Sequence, residues 1–309
     1  MIEIKNLVKR YGDLVALDHL NLEIREGEIF GLLGPNGSGK TTAISCLLAL
    51  LKYDKGEISV FGENMQPNSY GLKKKIGIVP QEVAVFGELT VEENIDYFCG
   101  LYIKDRALRK KYVEEAVQFV GLEEQRKMRP KQLSGGLLRR LNIACGIVHK
   151  PKLVIMDEPT VAVDPQSRNH ILEGIQQLNK EGATIIYTSH YMEEVEQICT
   201  RIAILDHGRS IAVGTKEELK SMIKMGERIT IEGIVLDEEH LQEIKELPHV
   251  FQTEYENQKL VICCSSAKQN LMRVLHYLQE REISCGKIFS ELPTLNDVFL
   301  EITGKELRD

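Results

Sequence analysis

The residues with the clearest chemistry form one glycine-rich stretch, Gly34-Pro35-Asn36-Gly37-Ser38-Gly39-Lys40-Thr41-Thr42. It matches the phosphate-binding pattern G-x-x-x-x-G-K-S/T, in which glycines let backbone N–H groups turn toward an anion. Lys40 would reach the β- and γ-phosphates of a nucleotide, and the Thr41 hydroxyl would ligate Mg²⁺. A strand predicted over 29–33 precedes the loop, and a helix predicted over 42–51 points its positive end at the same anion. The alternative is a glycine-rich turn that binds nothing.

Two adjacent carboxylates, Asp157 and Glu158, follow the apolar run 153–156, which is typical of a buried parallel strand. Ligand sites in α/β folds form at such strand ends. Asp157 is suited to hold Mg²⁺, directly or through water. Glu158 is expected to point the other way along the strand, where it would polarise an attacking water as general base. The alternative is a helix N-cap region with solvated acids.

Two more polar residues follow predicted strands of the same sheet. His190 comes just after the run 184–187, so we expect it near the γ-phosphate or the attacking water; alternatively it is an ordinary surface or core histidine. Gln81 follows the run 76–79, and its amide is a candidate for Mg²⁺ or for a Mg²⁺-bound water.

A second anion site is predicted far along the chain, at Ser134-Gly135-Gly136. Ser134 is a good helix N-cap, and the glycines expose N–H groups at the start of a predicted helix. By itself the stretch also fits a simple helix cap followed by flexible glycines.

These motifs, in this order, resemble those of the ATP-binding subunit of ABC transporters over roughly residues 1–215. The resemblance implies a P-loop NTPase core that binds ATP with Mg²⁺, and it implies a role for each matching residue. Tyr11 would stack on adenine, Gln81 would link the site to the membrane subunit, and Asp164 would cross the dimer interface. The ATP site of a facing subunit would be completed by Ser134, Gly135 and Gly136. The catalytic pair would be Glu158 and His190.

The same resemblance implies partners. ATP would join two ATPase subunits head to tail, most simply as a homodimer, and the dimer would drive a separate transmembrane permease. The stretch Pro293–Gly304 is also similar to the ending of drug and polysaccharide exporter ATPases, the daunorubicin-resistance type in particular, which suggests export of drug-like, lipid or polymer substrates. The sequence departs from the family pattern at Leu137, where glutamine is usual, and at Val161-Ala162-Val163.

The elements that must position these residues suggest two domains. Residues 1–215 alternate strands and helices, with a half-exposed antiparallel sheet near the start and a helical subdomain at about 88–150. Residues 216–309 have the order strand-helix-strand-strand-helix-strand, which favours a small ferredoxin-like α+β domain. The strands are expected at 229–235, 251–255, 260–264 and 283–289, and the helices at 239–246, 268–281 and 294–304.

Composition argues against several classes of function for this chain. The 309 residues carry a formal net charge of −7, of which residues 216–309 contribute −6, so we expect no nucleic-acid partner. The seven cysteines form no C-x-x-C pair and are interpreted as reduced core residues rather than a metal site. No apolar run approaches the ~20 residues of a membrane-spanning helix, and the start has no signal-peptide pattern. We therefore expect a cytoplasmic protein, peripheral on the inner face of the cell membrane. The alternative is a soluble ABC-type regulatory ATPase that is not coupled to transport.

Overall fold

A computed structural model describes residues 1–304 of the chain. The chain divides into two compact units, with the boundary between Thr215 and Lys216. The last five residues of the predicted domain 216–309 lie outside the described residues. Within 1–304, no helix combines the length and apolar character that crossing a membrane requires.

The elements of the first unit alternate along the chain. Its strands are β1 (Ile2–Tyr11), β2 (Leu14–Ile24), β3 (Ile29–Leu33), β4 (Lys55–Val60), β5 (Glu63–Asn64), β6 (Ile76–Val79), β7 (Leu153–Asp157), β8 (Thr184–Ser189), β9 (Arg201–Asp206) and β10 (Arg209–Gly214). Its helices are α1 (Lys40–Leu47), α2 (Tyr70–Lys73), α3 (Val91–Gly100), α4 (Arg106–Phe119), α5 (Gly135–Ile147), α6 (Pro165–Lys180) and α7 (Met192–Ile198).

The central sheet of this unit has six strands in the order β10-β9-β3-β8-β7-β6. All its neighbours are parallel except the pair β10 and β9. Every residue of β3, β7 and β8 is buried, because helices and the second sheet cover both faces. The carboxyl ends of the parallel strands therefore meet at one edge, where the segments containing Gly34, Gln81, Glu158 and His190 begin.

The second sheet is antiparallel, in the order β2-β1-β4-β5, as the alternating pattern predicted. Its apolar face shares one core with α1 and the central sheet, through buried residues such as Leu17, Phe30 and Ile44. The hairpin of β1 and β2 is longer than the predicted runs 2–8 and 20–24. Leu14 and Val15 are exposed at its tip, so the apolar alternation that marks a half-buried strand is missing there.

The inserted helices α3 and α5 begin at side-chain caps, of which Ser134 was predicted from the sequence. Thr90 and Glu93 form a capping box at the start of α3, and Ser134 accepts a hydrogen bond from the N–H of Leu137 at the start of α5. Each cap satisfies N–H groups that have no partner within their helix, which stabilises the helix by about 1 kcal/mol.

The second unit contains α8 (Lys216–Ser221), β11 (Met225–Glu232), α9 (Glu238–Lys245), β12 (Val250–Glu256), β13 (Lys259–Ser265), α10 (Asn270–Glu280), β14 (Ile288–Glu291) and α11 (Leu295–Thr303). Its antiparallel sheet has the order β12-β13-β11-β14, which confirms the predicted ferredoxin-like arrangement. Helix α11 begins at a capping box of Thr294 and Asp297, and Gly304, whose φ is 68°, is its C-cap.

One predicted strand of this unit was wrong over its first five residues. The strand expected at 283–289 begins only at Ile288. Ile283 and Cys285 still pack against the domain core, so their apolar character reflects burial rather than strand pairing. Gly286 lies so close to Glu232 that an added Cβ would be 2.8 Å from its carbonyl oxygen. All seven cysteines of the chain are free thiols, and six of them are buried.

Candidate functional site

The glycine-rich loop connects the end of β3 to the start of α1. Gly37 and Gly39 have φ angles of 80° and 106°, which favour glycine, and Gly39 occupies the N-cap position of α1. A Cβ added at Gly39 would lie 2.8 Å from the carbonyl oxygen of Ala16, so the hairpin of β1 and β2 packs directly on the loop. The loop thus leads directly into α1, whose first N–H groups have no partner within the helix and are suited to bind an anion.

Lys40 extends back over this loop. Its Nζ donates to the carbonyl oxygens of Gly34 at 2.7 Å and Pro35 at 3.2 Å, and the residue is only 5% exposed. Burial lowers the pKa of Lys40, while the nearby carboxylate of Glu158 opposes that shift. The adjacent hydroxyl of Ser38 is buried and has no hydrogen-bond partner within the described chain. A cation and a buried hydroxyl thus line the loop, which is a donor set suited to phosphate oxygens.

Thr41 and Asp157 form the contact between the loop and the end of β7. The Thr41 hydroxyl donates to Oδ2 of Asp157 at 3.0 Å, and the Thr188 hydroxyl donates to Oδ1 of the same carboxylate at 2.6 Å. Asp157 is buried, so these hydrogen bonds fix the orientation of its carboxylate. The structure therefore brings together two oxygen ligands that the sequence had assigned to Mg²⁺.

Glu158 is the centre of the site. Its carboxylate lies 3.6 Å from Lys40 Nζ, 3.4 Å from Nδ1 of His190 and 3.2 Å from Nε2 of Gln81, which donates to it. The residue is 6% exposed, so water screens these contacts little. Residues from the ends of β3, β6 and β8 thus converge on one carboxylate at the end of β7.

The expected orientation of Glu158 was wrong. Strict strand alternation would have directed its side chain away from Asp157. Glu158 instead lies one residue beyond β7 with φ at 47°, and its N–H donates to the Thr188 hydroxyl at 2.9 Å. This left-handed turn breaks the alternation and places both carboxylates beside the start of α1.

A second group of predicted residues lies together elsewhere in the unit. A Cβ added at Gly136 would come within 3.0 Å of Oδ2 of Asp164, and one added at Gly135 would lie 3.8 Å from the carbonyl oxygen of Ala162. Asp164 caps α6 by accepting from the N–H of Ser167, and this hydrogen bond lowers the pKa of Asp164. Ser134 caps α5. No hydrogen bond or ion pair described within 1–304 joins Ser134 or Asp164 to Lys40 or Glu158.

The other predicted residues border the loop. Tyr11 is 49% exposed at the tip of the hairpin of β1 and β2, and Nζ of Lys9 lies 5.0 Å from its ring centroid. The side chain of Asn36 is exposed and that of Thr42 is half-buried. Tyr11 thus offers an exposed aromatic ring for stacking on a planar base, on the same hairpin whose Ala16 lies against the loop.

Three buried polar residues that the sequence did not single out hold the segment after Gln81. Arg139 and Asn142 of α5 both donate to the carbonyl oxygen of Pro80, and Asn142 also accepts from the N–H of Ala84. Asn94 of α3 is fully buried and forms hydrogen bonds with backbone groups of Phe86, Leu89 and Thr90. Nothing in the sequence distinguishes these residues from exposed polar residues of a helix, so residue type gave no signal.

Comparisons with known proteins agree with this geometry. A family model described as ABC transporter matches residues 17–161, and one described as ATP-binding protein DrrA1-3-like, C-terminal domain, matches residues 214–303. The chain is 42% identical to the linearmycin resistance ATP-binding protein LnrL of Bacillus subtilis (strain 168), over 100% of both proteins. It is 36% identical to the Nod factor export ATP-binding protein I of Sinorhizobium fredii (strain NBRC 101917 / NGR234), over 100% of this chain and 87% of that protein.

A solved structure supports the same relationship. It is the dimeric structure of a post-hydrolysis state of the ATP-binding cassette MJ0796 bound to ADP and Pi. That structure matches 70% of this chain and 98% of its own chain, with 28% sequence identity and a TM-score of 0.64. These similarities agree with the phosphate loop and with the two carboxylates beside it. The chain therefore belongs to the ABC transporter family, as an ATP-binding and ATP-hydrolysing subunit with a DrrA1-3-like C-terminal domain.

Proposed function

We propose that this chain hydrolyses Mg²⁺-bound ATP in a head-to-tail dimer of two ATPase subunits and thereby powers export through a separate membrane permease. The observation that carries the proposal is the convergence of Lys40, Gln81 and His190 on the buried carboxylate of Glu158. Groups that bind phosphate, orient water and accept a proton must lie within a few ångströms of each other for phosphoryl transfer to water.

The proposed metal site consists of Thr41 and Asp157, with Gln81 nearby. The Thr41 hydroxyl and Oδ2 of Asp157 lie 3.0 Å apart, so two hard oxygen donors of the kind Mg²⁺ prefers are available side by side. A bound Mg²⁺ would neutralise charge on the β- and γ-phosphates. The residues present therefore fit the ion that the family resemblance implies.

Within this site, the side chains have distinct proposed roles. Lys40 stabilises negative charge on the transferred phosphoryl group, and Glu158 accepts the proton of the attacking water. His190 and Gln81 hold that water and the γ-phosphate in line. The loop residues 34–39, with Thr42, surround the phosphate chain and bind it through hydroxyls and through the backbone N–H groups of the residues other than Pro35. Tyr11 stacks on adenine.

The second subunit is proposed because one chain supplies only one side of the ATP site. Ser134, Gly135 and Gly136 form the start of α5, whose first N–H groups are suited to bind a phosphate. Their contacts within this chain are with Asp164 and the start of α6, rather than with the phosphate loop. A second copy placed head to tail would bring its Ser134 to the γ-phosphate of the first copy, so ATP would stabilise the dimer. Dimeric arrangements of similar cassettes support this.

The proposed permease contact lies on the segment after Gln81. Val83 and Phe86 are exposed on it, together with Tyr97 and Leu101 of the adjoining helix α3 and its end. The Phe86 ring packs edge-on against Tyr97, with centroids 4.8 Å apart, so the exposed aromatic side chains form one apolar surface. A permease bound here would keep the chain on the inner face of the membrane.

The exported substrate is proposed from the relatives alone. The named relatives serve linearmycin resistance and Nod factor export, which agrees with a drug-like, lipid or polymer substrate. The rival function is a soluble regulatory ATPase. A tagged chain that stays with the membrane fraction, and is released by Phe86→Asp but not by Tyr70→Asp at another exposed aromatic residue, supports the permease partner. Recovery of the wild-type chain only outside the membrane fraction would favour the rival.

The hydrolytic role is tested with Glu158→Gln, which keeps the size of the side chain but removes its basicity. We expect steady-state ATP hydrolysis to fall by at least about 100-fold, because a positioned general base contributes 10²- to 10⁴-fold. ATP binding should persist, and gel filtration should show more dimer with ATP than the wild type retains. Glu57→Gln, at an exposed position of β4, is the matched control and should hydrolyse ATP normally. Normal turnover in Glu158→Gln would exclude the general-base role.

A further inference from the structure

Glu194 of α7 is a carboxylate buried inside the first unit, at 3% exposure. It belongs to none of the motifs that identify the site. Its Oε2 accepts hydrogen bonds from the hydroxyls of Tyr187 at 2.6 Å, Thr160 at 2.7 Å and Ser189 at 3.1 Å. Its Oε1 lies 3.2 Å from Nε of Arg168. The carboxylate therefore accepts three hydrogen bonds and forms one ion pair.

The partners of Glu194 come from the three segments that carry the proposed site residues. Thr160 is two residues after Glu158, and Ser189 immediately precedes His190. Arg168 lies on the first turn of α6, four residues after Asp164. The carboxylate thus ties the segments after β7 and β8 to the start of α6.

Arg168 adds a second connection to His190. Its guanidinium lies 5.0 Å from the centroid of the Tyr191 ring, and that ring packs against the imidazole of His190 with centroids 4.1 Å apart. The position of His190 thus depends on α6 through Arg168, as well as on Glu194 through Ser189.

Because Glu194 is a buried carboxylate, the segments that carry its partners have little freedom to move. A buried carboxylate is strongly destabilising unless donors satisfy its oxygens, so displacement of any one segment leaves part of the charge without a partner. Burial, together with the Glu194 carboxylate, also raises the pKa of Tyr187 well above its usual value, so Tyr187 remains a donor. The donors must therefore keep their relative positions whenever Glu194 is buried.

We infer that Glu194 is a positioning residue for ATP hydrolysis: it holds the Glu158, Asp164 and His190 segments in the relative arrangement that hydrolysis needs. The inference rests on the proposed roles of Glu158 and His190. Glu194 does not itself touch the nucleotide; it acts through Thr160, Ser189 and Arg168.

Substitutions can test the hydroxyl contacts of Glu194 separately from its ion pair with Arg168. Glu194→Gln keeps an oxygen that accepts from the hydroxyls but removes the charge that pairs with Arg168. Thr160→Val removes one hydroxyl donor at nearly constant volume, and Thr160→Ser restores that donor. Glu193→Gln, at the exposed neighbouring position of α7, is the matched control.

The test is steady-state ATP hydrolysis by the purified full chain, with kcat and KM measured separately for each variant. We expect Glu194→Gln and Thr160→Val to lower kcat by about tenfold or more, because misalignment of acid–base groups loses much of a 10²- to 10⁴-fold effect. KM for ATP should change less than about twofold, since Tyr11 and the phosphate loop do not contact Glu194. Thr160→Ser and Glu193→Gln should have nearly wild-type kcat.

A wild-type kcat in both Glu194→Gln and Thr160→Val would overturn the inference. So would a Thr160→Ser variant as slow as Thr160→Val, because a restored hydroxyl would then not restore alignment. If Glu194→Gln fails to fold, the Thr160 pair alone decides between these outcomes. Glu158→Gln is assayed in parallel: if it hydrolyses ATP normally, the proposed function fails, whereas an inactive Glu158→Gln beside normal Glu194 and Thr160 variants rejects only the positioning role.

Discussion

The hydroxyl of Thr41 donates a 3.0 Å hydrogen bond to Oδ2 of Asp157, although 116 residues separate the two in the chain. The contact forms because β3 and β7 are both parallel to β8, which lies between them, so their carboxyl ends reach the same sheet edge. The first residues of α1 and the end of β7 therefore share one small volume. In the proposed mechanism this volume holds the metal.

Removal of either oxygen ligand should raise the Mg²⁺ requirement of the ATPase. In Thr41→Val and in Asp157→Asn we expect half-maximal hydrolysis at a Mg²⁺ concentration at least about tenfold higher, because one hard oxygen ligand is lost or weakened. The measurement is a Mg²⁺ titration of ATP hydrolysis at fixed ATP. Thr41→Ser keeps the hydroxyl and serves as the control. An unchanged titration in both Thr41→Val and Asp157→Asn would place the metal elsewhere.

Removal of the Tyr11 ring should weaken ATP binding without slowing chemistry. Stacking of a base on an aromatic side chain contributes about 1–3 kcal/mol, so Tyr11→Ala should raise KM for ATP by roughly tenfold. The kcat at saturating ATP should stay near the wild-type value, since Tyr11 has no contact with Glu158 or Lys40. Tyr11→Phe, which keeps the ring, is the control. A KM in Tyr11→Ala equal to that of Tyr11→Phe would argue against stacking.

Substitution of Asn94 should make the segment after Gln81 more mobile. Asn94→Leu removes the side-chain amide that accepts from the N–H of Phe86 and donates to its carbonyl oxygen, at a cost of about 2 kcal/mol in the free energy of unfolding, or about 1 kcal/mol for each hydrogen bond. Hydrogen exchange should become faster at the Phe86 amide, and chemical denaturation should report the lost stability. Asn68→Leu, at an exposed position, should change neither measurement. Unchanged exchange at Phe86 would show that Asn94 does not hold this segment.

Stability should fall in mildly acidic solution because of His149. Its ring stacks on Tyr102 with centroids 3.8 Å apart, and burial lowers the pKa of His149 below the ordinary value of 6.5. Below pH 6.5, His149 takes up a proton in the unfolded chain, whereas the buried His149 of the folded chain stays neutral. The stability that this difference contributes is therefore present above pH 6.5 and is lost as the pH falls through the lowered pKa.

The corresponding measurement compares free energies of unfolding at pH 7.5 and pH 5.5. The contribution of one histidine reaches at most about 1.4 kcal/mol per pH unit. His149→Gln should show a smaller loss between the two values than the wild type, whereas the exposed His276→Gln should retain the full loss. Equal losses in the wild type and His149→Gln would assign the acid sensitivity to other groups.

Much of the first unit was predictable because its signals are local. The phosphate loop is a contiguous run, and the fully apolar strands β3 and β7 differ visibly from the alternating strand β1. The start of β14 was not predictable, because Ile283 and Cys285 are apolar for core packing and the pattern does not separate packing from strand pairing. The length of the hairpin of β1 and β2 was underestimated because Leu14 and Val15 pair as strand residues although both are exposed. Exposed apolar residues do not give the alternating pattern that marks a half-buried strand.

By itself the sequence determined the phosphate loop, the capped start of α5 at Ser134, and the ligand types at Asp157 and Glu158. Each of these depends on neighbouring residues, whose backbone geometry follows from their own types. Only the tertiary structure decided that Glu158 turns beside Asp157, that Gly136 packs against Asp164, and that Glu194 is buried. These arrangements depend on strand order and on contacts between distant segments. A carboxylate that is buried and one that is solvated have the same letter in the sequence, and only packing distinguishes them.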